Sequence, residues 1–420
     1  MAKVDPGGTQ DIELLKDEGN AHGLMMEDGI TTLSFYEGDF NAASKALRAQ
    51  FGLVVAANPW LAGTLVKEAG ASGHGIRLRH PESPQGVDVD RQFLDTPALK
   101  PNPTTPYVEM CKELFKTREA VVASGSALLG KGQPVSRLTV APTPDGNGFS
   151  VAFSLCHAVG DGRTYYEILK MLKPGAEAQP LNPTRVFSFS DEMRDMCGRR
   201  ELEWADECGT TCLYTCGMMF GGGKPKCYAF HLDEEKLAQA KAQGASQGGV
   251  SYVTTNDVLT SGFFTACKSR IGMMGMDCRD RVPGIAQDLA GNYVTALTMD
   301  SSTFGTPGAV RSMLATTPFK TTTLPLPTCF GWMCGGDSAS FAMASNWASF
   351  AGELLPIEGS DLKLHLPVKN PAYCVFDLMV PFASSPGKVG VLMWTVSSDE
   401  KGLRKHMPCL GERLSSDLFP

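Results

Sequence analysis

The most regular pattern of hydrophobic and polar positions lies in the first half of the chain, where two stretches alternate as β-strands do. Val135–Val140 and Phe149–Leu155 are these stretches, and the turn-forming sequence PTPDGNG joins them. The second stretch runs directly into HAVGDG, and a helical pattern, TYYEILKMLKPG, follows. Thr164 and Glu167 have the spacing of a capping box at the start of that helix. The pattern therefore predicts a β-hairpin, a loop and a helix in succession.

Further periodic stretches lie before and after this hairpin. An alternating stretch, Thr32–Tyr36, precedes an amphipathic helix that we expect Asp39 or Asn41 to begin. Asn256 is expected to cap another helix, over 251–272. The remaining predicted elements are strands at Gly75–Arg79, Tyr228–Leu232, Tyr293–Met299, Leu364–Leu366, Ala372–Val380 and Val389–Val396, a helix at Asp233–Gln247 and a helical tail over 400–418.

This order of helices and strands predicts an α+β fold, with strands gathered toward the C-terminal end. Residues 176–226 change in composition and are interpreted as a long crossover. We therefore divide the chain into an N-terminal half, 1–175, the crossover, 176–226, and a C-terminal half, 227–420.

Composition and charge narrow the classes of protein that fit this pattern. The chain has 420 residues, 43% of them hydrophobic, and its 38 basic and 45 acidic side chains give a formal net charge of −7. Such a chain is a poor binder of polyanions, so we expect no nucleic acid among its partners. No uninterrupted run of about 18 apolar residues is present, so no membrane span is predicted.

The cysteines and the first residues bear on the compartment. There are 13 cysteines, an odd number, and the opening MAKVDPGGTQ has no apolar core of a secretory signal. Unpaired thiols fit a reducing compartment, so we expect a cytoplasmic protein. An organelle with a trimmed targeting segment is the alternative.

His157 is the leading candidate for chemistry. It begins the sequence His-Ala-Val-Gly-Asp-Gly where the predicted strand enters a glycine-containing loop, and such loops hold side chains at clefts. A neutral imidazole can remove a proton from a hydroxyl or an amine and return it to a leaving group. A hydrogen-bonded structural histidine is the alternative that this motif leaves open.

Asp161, four residues after the histidine, has two possible arrangements. It could orient the imidazole as in a catalytic triad, or it could point away and hold the loop through an ion pair with an arginine. Gly160 and Gly162 indicate a loop rather than a helical turn, so the ion pair is favoured. No Gly-x-Ser-x-Gly elbow is expected to serve as nucleophile, which favours direct transfer without a covalent acyl-enzyme.

Other cysteine- and glycine-rich features have simpler explanations. Cys208, Cys212 and Cys216 repeat along one helix face, whereas zinc sites usually use Cys-x₂-Cys pairs, so we expect buried thiols and no metal. The sequence Phe220–Lys224 lacks the spacing of a P-loop and is interpreted as a linker. Cys156 is predicted to point away from the neighbouring imidazole, so we do not expect it to be a nucleophile.

Several segments together resemble one family. SLCHAVGDGRTYYEIL resembles the His-xxx-Asp-Gly segment of the acyl-CoA-dependent BAHD acyltransferases, within the chloramphenicol acetyltransferase and condensation-domain superfamily. Four further segments follow in the family's order. YVTTNDVLTSGFF is similar to the helix after the crossover, and MDCRDRVP is similar to the Asp-x-Arg stretch. AGNYV is similar to the Gly-Asn strand start, and SNW is similar to Thr-Ser-Trp. These matches span about residues 32–396.

One segment departs from the family's pattern. Asp361–Pro367 stands where the family usually has Asp-Phe-Gly-Trp-Gly. The FGW at Phe330–Trp332 precedes SNW and is not aligned with that segment. The chain therefore resembles a divergent member of the family.

The resemblance implies two similar chloramphenicol-acetyltransferase-like halves, each a mixed β-sheet with helices, and a channel between them that is open at both ends. Acyl-CoA would enter one mouth and a small-molecule alcohol or amine the other, with no permanently bound cofactor. The roles that it implies are general base for His157, a loop-fixing ion pair for Asp161 with Arg279, substrate orientation for Ser345 and Trp347, and structural support for Gly162 and Asn292.

The function that the resemblance implies is acyl transfer from acyl-CoA to a hydroxyl or amine by direct attack, carried out by a monomer. Two alternatives remain. A condensation-like enzyme would take its acyl group from a carrier protein, although Cys156 stands where that branch commonly has a second histidine. A non-catalytic descendant would bind a small ligand or a partner protein in the channel.

Overall fold

The structure is a computed structural model that describes residues 8–20, 23–68, 75–83, 87–206, 224–316, 318–328, 340–352, 354–374 and 376–420. Its strands are β1 Thr9–Glu13, β2 Ile30–Glu37, β3 Thr64–Lys67, β4 Ile76–Pro81, β5 Phe93–Leu94, β6 Ser136–Pro142, β7 Gly148–Leu155, β8 Lys226–Leu232, β9 Ile271–Asp277, β10 Val294–Met299, β11 Phe341–Ala344, β12 Asp361–Pro367, β13 Asp377–Ser385, β14 Lys388–Thr395 and β15 Leu410–Arg413.

Helices alternate with these strands. They are α1 Phe40–Ala57, α2 Tyr107–Thr117, α3 Gly125–Leu128, α4 Gly162–Met171, α5 Phe189–Cys197, α6 Arg199–Asp206, α7 Glu234–Gly248, α8 Thr255–Ala266, α9 Ser301–Phe304, α10 Pro307–Leu314, α11 Ala348–Ala351 and α12 Glu400–His406. Single 3₁₀ turns lie at Leu24–Met26, Pro59–Ala62, Val89–Arg91 and His157–Val159. Of the helices in the described ranges, none has the length and apolar character needed to cross a membrane.

Five strands form the sheet that carries the His157 loop. Their order is β12-β2-β7-β6-β5, and neighbours are antiparallel except for β6 and β5. Every residue of β7 is buried, so both faces of this central strand are covered. Ile30 of β2 pairs with Leu155 of β7, which places the residues before Ile30 across from the residues after Leu155. The turn that begins at His157 therefore lies beside the segment that precedes β2.

Seven strands form a second sheet, in the order β10-β9-β11-β13-β14-β8-β15. Strands β9, β11 and β13 run parallel, and the other neighbours are antiparallel. Helix α8 contributes the buried Phe263 and Phe264 to the core of this sheet. A small three-stranded sheet, β1-β4-β3, completes the arrangement. Two mixed sheets with helices confirm the predicted α+β architecture.

One strand from the predicted C-terminal half joins the sheet of the predicted N-terminal half. Strand β12, from the predicted C-terminal half, pairs antiparallel with β2 at the edge of the five-stranded sheet, with an irregularity between Leu362 and Leu364. His365 in β12 is buried, its Nδ1 lies 2.8 Å from Ser34 Oγ, and burial lowers its pKa to about 3. The segment Asp361–Pro367, which departs from the pattern of the family that the sequence resembles, is thus an edge strand of the five-stranded sheet.

Two of the predicted helix caps are wrong. Asp161, rather than Thr164, caps α4, because its side chain accepts a hydrogen bond from the Thr164 backbone N at 2.9 Å. Helix α8 is capped by Thr254 in a capping box with Asp257, and not by Asn256. Each true cap lies two or three residues earlier in the chain, where the backbone is still extended and a short side chain reaches the first turn.

Two predicted helices continue as strands. The helix predicted over 251–272 ends at Ala266, and β9 follows it. The C-terminal helical tail ends at His406, and β15 then pairs with β8. Strand β9, with the sequence IGMMGMD, has little β propensity of its own, and its position between β10 and β11 supplies the backbone hydrogen bonds.

Candidate active site

The candidate active site begins where β7 ends. The Cys156 backbone N donates to Val135 O at 2.7 Å, which fixes the direction in which the chain leaves the strand. His157–Val159 form a 3₁₀ turn, and Gly160 is extended before Asp161 caps α4. Because the 3₁₀ turn ends at Val159 and Gly160 is extended, the imidazole and the carboxylate have different surroundings. Asp161 is buried with partners of its own, and it does not orient the imidazole.

The His157 side chain is mostly buried but is partly exposed to solvent. Its side chain is 17% exposed. The ring Nδ1 is buried and has no hydrogen-bond partner within the described ranges, whereas Nε2 lies 3.5 Å from Oε2 of Glu27. The backbone O of His157 accepts a hydrogen bond from Asn292 Nδ2 at 2.8 Å. The turn is therefore anchored through its backbone, and Nε2 is the ring nitrogen left for a ligand.

Asp161 and Arg279 form a buried, bidentate ion pair. Arg279 Nη1 donates to Asp161 Oδ2 at 2.8 Å, and Nη2 donates to Oδ1 at 3.3 Å. The Tyr293 backbone N donates to Oδ2 at 3.0 Å. Arg279 also contacts Asp277 Oδ1 at 2.9 Å, so this guanidinium faces two carboxylates. The structure thus brings together Asp161 and Arg279, which the sequence places 118 residues apart.

The pKa of Asp161 follows from these contacts. Burial alone raises the pKa of a carboxyl group, but the charge of Arg279 and its hydrogen bonds outweigh burial here, with further help from the Thr164 and Tyr293 backbone N–H groups. The pKa of Asp161 is therefore held below its usual range. A carboxylate that stays ionised beside an arginine fixes geometry and does not exchange protons near neutral pH.

Gly291 connects the histidine loop to the start of β10. Its backbone O accepts hydrogen bonds from Asp161 N at 3.2 Å and from Thr164 Oγ1 and Arg279 Nη2, both at 3.1 Å. Gly291 has φ of +143°, and a Cβ there would lie 3.0 Å from Arg185 Cζ. Both the backbone conformation and the space favour glycine. The AGNYV segment thus meets the His157 loop through its backbone.

A second buried ion pair, Glu18 with Arg185, also contacts the loop. Arg185 Nε donates to Glu18 Oε2 at 2.7 Å, and both side chains are almost fully buried. Arg185 Nη2 donates to Val159 O at 2.9 Å, inside the turn, and Nη1 donates to Ala290 O at 2.7 Å. Arg185, from the predicted crossover, therefore links the His157 turn to the segment that precedes β10.

Asn292 links this second pair to the histidine. Glu18 Oε1 accepts hydrogen bonds from Asn292 N at 2.9 Å and from Asn292 Nδ2 at 3.1 Å. The same Nδ2 reaches the His157 backbone O. The resemblance predicts a supporting role for Asn292, whereas no pattern in the sequence indicates Glu18 or Arg185. Neither residue lies in a recognisable motif, and the two are 167 positions apart.

Ser345 and Trp347 lie near each other, at the end of β11. Trp347 Nε1 donates to Ser345 Oγ at 3.1 Å. The indole is buried, makes an edge contact with Tyr166 of α4 and lies 4.8 Å from Lys369 Nζ. The structure thus places Trp347 against the helix that follows the histidine loop. The predicted part of Ser345 and Trp347 in substrate binding stays a prediction.

The glycines of the loop differ in how tightly they are packed. A Cβ on Gly162 would reach only ordinary contact distance, 3.6 Å, from the Phe350 ring. A Cβ on Gly160 would lie 3.0 Å from side-chain atoms of Leu155 and Thr164. Packing therefore demands glycine more strongly at position 160 than at the predicted supporting residue, Gly162.

Neither Cys156 nor the serine of a Gly-x-Ser-x-Gly spacing is placed as a nucleophile. Burial raises the pKa of the Cys156 thiol to about 12, which keeps it protonated. A Gly-x-Ser-x-Gly spacing at Gly244–Gly248 lies at the end of helix α7 and forms no strand-to-helix elbow. Cys208, Cys212, Cys216 and the predicted linker up to residue 223 lie outside the described residues.

Among the residues that the structure describes, no group of three or more His, Cys, Asp or Glu side chains is arranged to hold a metal ion. The chemical group that this site offers is one partly exposed imidazole on an anchored turn. This arrangement suits proton transfer to and from a bound molecule.

Comparisons with known proteins identify the fold. No family model matches the sequence, and no curated protein matches it. Among solved structures, TRI101 of F. graminearum complexed with coenzyme A and T-2 mycotoxin has a TM-score of 0.60 at 14% identity, covering 97% of this chain and 100% of that chain. The first condensation domain of the calcium-dependent antibiotic synthetase has a TM-score of 0.55 at 16% identity, with 95% and 94% covered.

A third structure agrees with these two. Polyketide synthase associated protein 5 from Mycobacterium tuberculosis has a TM-score of 0.54 at 12% identity, covering 96% of this chain and 97% of that chain. The likeness extends over nearly the whole length in each case. The chain therefore has the fold of these proteins, and the fold expected from the resemblance to the condensation-domain superfamily is confirmed.

Proposed function

We propose that the protein is an acyltransferase that moves an acyl group from acyl-CoA to a hydroxyl or amine, with His157 as the general base. The observation that carries this proposal is the His157 turn itself, whose backbone is anchored while the ring stays 17% exposed. Support comes from TRI101, which shares the fold over the full length and is complexed with coenzyme A. The HAVGDG motif adds the residue-level resemblance.

The reaction follows from the chemistry of a thioester and a neutral imidazole. The acceptor gives its proton to Nε2 of His157 as its oxygen or nitrogen forms a bond with the thioester carbon. The carbon–sulfur bond then breaks, and the proton on Nε2 passes to the CoA thiolate. Nε2 takes this part because Nδ1 is buried. The thioester is already activated, so the protein must chiefly position the two reactants.

The buried ion pairs act on this reaction through position. Asp161 and Arg279 fix the loop after His157, and Asn292 fixes the carbonyl of His157 itself. None of these groups exchanges a proton with the substrate in the proposed reaction. We expect the protein to work as a cytoplasmic monomer with no permanently bound cofactor.

The first test is His157→Ala. A positioned base contributes about 10² to 10⁴-fold, so kcat/KM for CoA-thiol release in the presence of an acceptor should fall by that factor, roughly 3 to 5 kcal/mol of barrier. Release is measured with a thiol reagent, using acetyl-CoA and a panel of alcohols and amines. His406→Gln, which changes a histidine on α12, serves as the control. Equal rates in wild type and His157→Ala would contradict the proposal.

A carrier-dependent, condensation-like enzyme is the second candidate. The favouring observation is the likeness to a condensation domain over 95% of this chain. Offering the same acyl group on coenzyme A and on a phosphopantetheinylated carrier protein separates the two candidates. A kcat/KM at least about tenfold higher with the carrier would favour this second function. A non-catalytic descendant would show ligand binding without His157-dependent turnover on either donor.

A further inference from the structure

Glu27 is a charged group beside His157 that the proposed reaction does not yet use. Its Oε2 lies 3.5 Å from Nε2 of His157, and its side chain is 56% exposed against 17% for the histidine. The carboxylate therefore stands on the solvent side of the nitrogen that we assign as the base. A molecule that reaches Nε2 from solvent meets Glu27 as it arrives.

The fold builds this position from two packed turns. The pairing of Ile30 with Leu155 places the segment before β2 across from the turn after β7. Met25 and Ala158 come from these two segments and meet at Gly125, where a Cβ would lie 2.6 Å from Met25 Sδ and 3.0 Å from Ala158 Cβ. Met25 is buried. Because both turns pack on Gly125, the core fixes the backbone segments that carry Glu27 and His157 beside each other.

Among the described residues, Glu27 has no lysine or arginine partner. Asp28, its neighbour, pairs with Arg118 Nη1 at 2.5 Å and with Asn370 Nδ2 at 2.8 Å, and its side chain is 8% exposed. By contrast, no lysine or arginine nitrogen in the described part of the chain lies within 4.0 Å of the Glu27 carboxylate. An exposed carboxylate without a fixed counterion, beside a base, is complementary to a cation that the substrate brings.

We propose that the acceptor is a primary amine and that Glu27 binds its ammonium form. This inference rests on the proposed acyltransferase function and narrows its acceptor class. The ammonium first loses one proton to water. The nitrogen lone pair then forms a bond with the thioester carbon, the carbon–sulfur bond breaks, and a second N–H proton passes to Nε2 of His157 and on to the CoA thiolate. Ammonium and acyl-CoA thus give an amide, the CoA thiol and one released proton.

An alcohol of the same shape gains no ion pair with Glu27. The attacking amine nitrogen becomes positively charged again as its bond to the thioester carbon forms, so Glu27 keeps a cation partner in the transition state. This interaction should favour the amine by about tenfold in kcat/KM. Glu27→Gln keeps the shape of the side chain and removes its charge. The substitution should therefore act on the preference for amines over alcohols.

The experiment measures kcat/KM for CoA-thiol release from acetyl-CoA with two matched pairs of acceptors, tryptamine with tryptophol and phenethylamine with 2-phenylethanol. Wild type should prefer the amine of a pair, and Glu27→Gln should lower the amine-to-alcohol ratio by about tenfold. Glu109→Gln removes an exposed carboxylate on α2 and serves as the matched control. Calorimetric binding of tryptamine to wild type and Glu27→Gln provides a second readout.

The outcomes separate the inference from the function beneath it. Alcohols preferred by wild type, or a ratio that Glu27→Gln leaves unchanged, would overturn the inference while acyl transfer stands. An equal loss with both acceptors would assign Glu27 to holding the imidazole and would also overturn the inference. If no acceptor gives His157-dependent release, the proposed function fails. In that case, equal tryptamine affinity in wild type and Glu27→Gln would overturn the inference as well.

Discussion

Two buried arginine–carboxylate pairs flank the His157 loop, and they differ in which arginine has a second carboxylate. Arg279 contacts Asp161 at 2.8 Å and Asp277 at 2.9 Å. Arg185 contacts one carboxylate within the described ranges, that of Glu18, at 2.7 Å. Both arginines also donate hydrogen bonds to backbone oxygens of the segment 289–291, and Arg185 donates one to Val159 O as well. The two pairs are therefore alike in burial, but removal of one carboxylate leaves Arg279 with a second carboxylate and leaves Arg185 with none in the described ranges.

The carboxylates also differ in their place in the chain. Asp161 belongs to the histidine loop and caps the helix that follows it. Glu18 belongs to the N-terminal segment and reaches the loop through Asn292 and Arg185. The difference teaches that burial alone does not tell what an ion pair does. Glu18 should matter more for stability, and Asp161 should matter more for the rate.

Glu18→Gln should have the largest effect on stability. The amide can still accept a hydrogen bond from Asn292, but Arg185 is left buried without a carboxylate, which costs about 3 to 5 kcal/mol. Urea unfolding measures the loss. Glu13→Gln, a less buried carboxylate of β1, is the control. A stability equal to that of wild type would show that the two arginines do not differ in the way proposed.

Asp161→Asn should lose less stability and more activity. Arg279 keeps Asp277, so we expect a loss of about 3 kcal/mol, at the low end for a broken buried pair. The loop and its helix cap are disturbed, and small misplacements of a catalytic group can cost about 10²-fold in kcat. Asp288→Asn, an exposed position, is the control. If Asp161→Asn lowers kcat less than Glu18→Gln does, the comparison is reversed.

The pH dependence of the Asp161 contribution should give the smallest effect. The folded-state pKa of Asp161 lies below the ordinary value of about 3.9, so its stabilising contribution is full above that value and is lost as pH falls through the folded-state pKa. The stability gap between wild type and Asp161→Asn, from urea unfolding at pH 7, 5 and 3, should therefore narrow at pH 3.

Another acid-sensitive group does not disturb this comparison. Burial lowers the pKa of His365 to about 3, so folding loses stability as pH falls below the ordinary histidine value. That loss occurs in wild type and in Asp161→Asn alike and cancels in the difference. A gap that stays constant or widens toward pH 3 would contradict the assigned direction for Asp161.

The sequence predicted those parts of the molecule that local patterns encode. The strand predicted at Phe149–Leu155 is Gly148–Leu155, and the helix predicted from Asp233 begins at Glu234 with Asp233 as its cap. Alternation and a favourable first turn are local signals, and burial reinforces them. The pairing of Asp161 with Arg279 was accessible only through the resemblance to a family, because spacing alone left two arrangements open.

Other parts depend on contacts far apart in the chain. Strand β9 forms because β10 and β11 lie on either side of it, although its glycines and methionines favour no strand. Glu18 and Arg185 are ordinary charged residues in sequence, and only the folded chain places them in one buried site. Glu27 likewise gains meaning from the register of β2 with β7. Such features have no local pattern that a single sequence could display.

Strand β12 also sets a timetable for synthesis. Strand β2 leaves the ribosome early, but its edge partner follows only about 320 residues later. At about 5 to 20 residues per second, translation needs roughly 16 to 65 seconds to supply it. During that interval the nascent chain presents an open row of backbone donors and acceptors along β2. On crowded polysomes, the open edge of β2 would therefore be most exposed to pairing with other nascent copies of this chain.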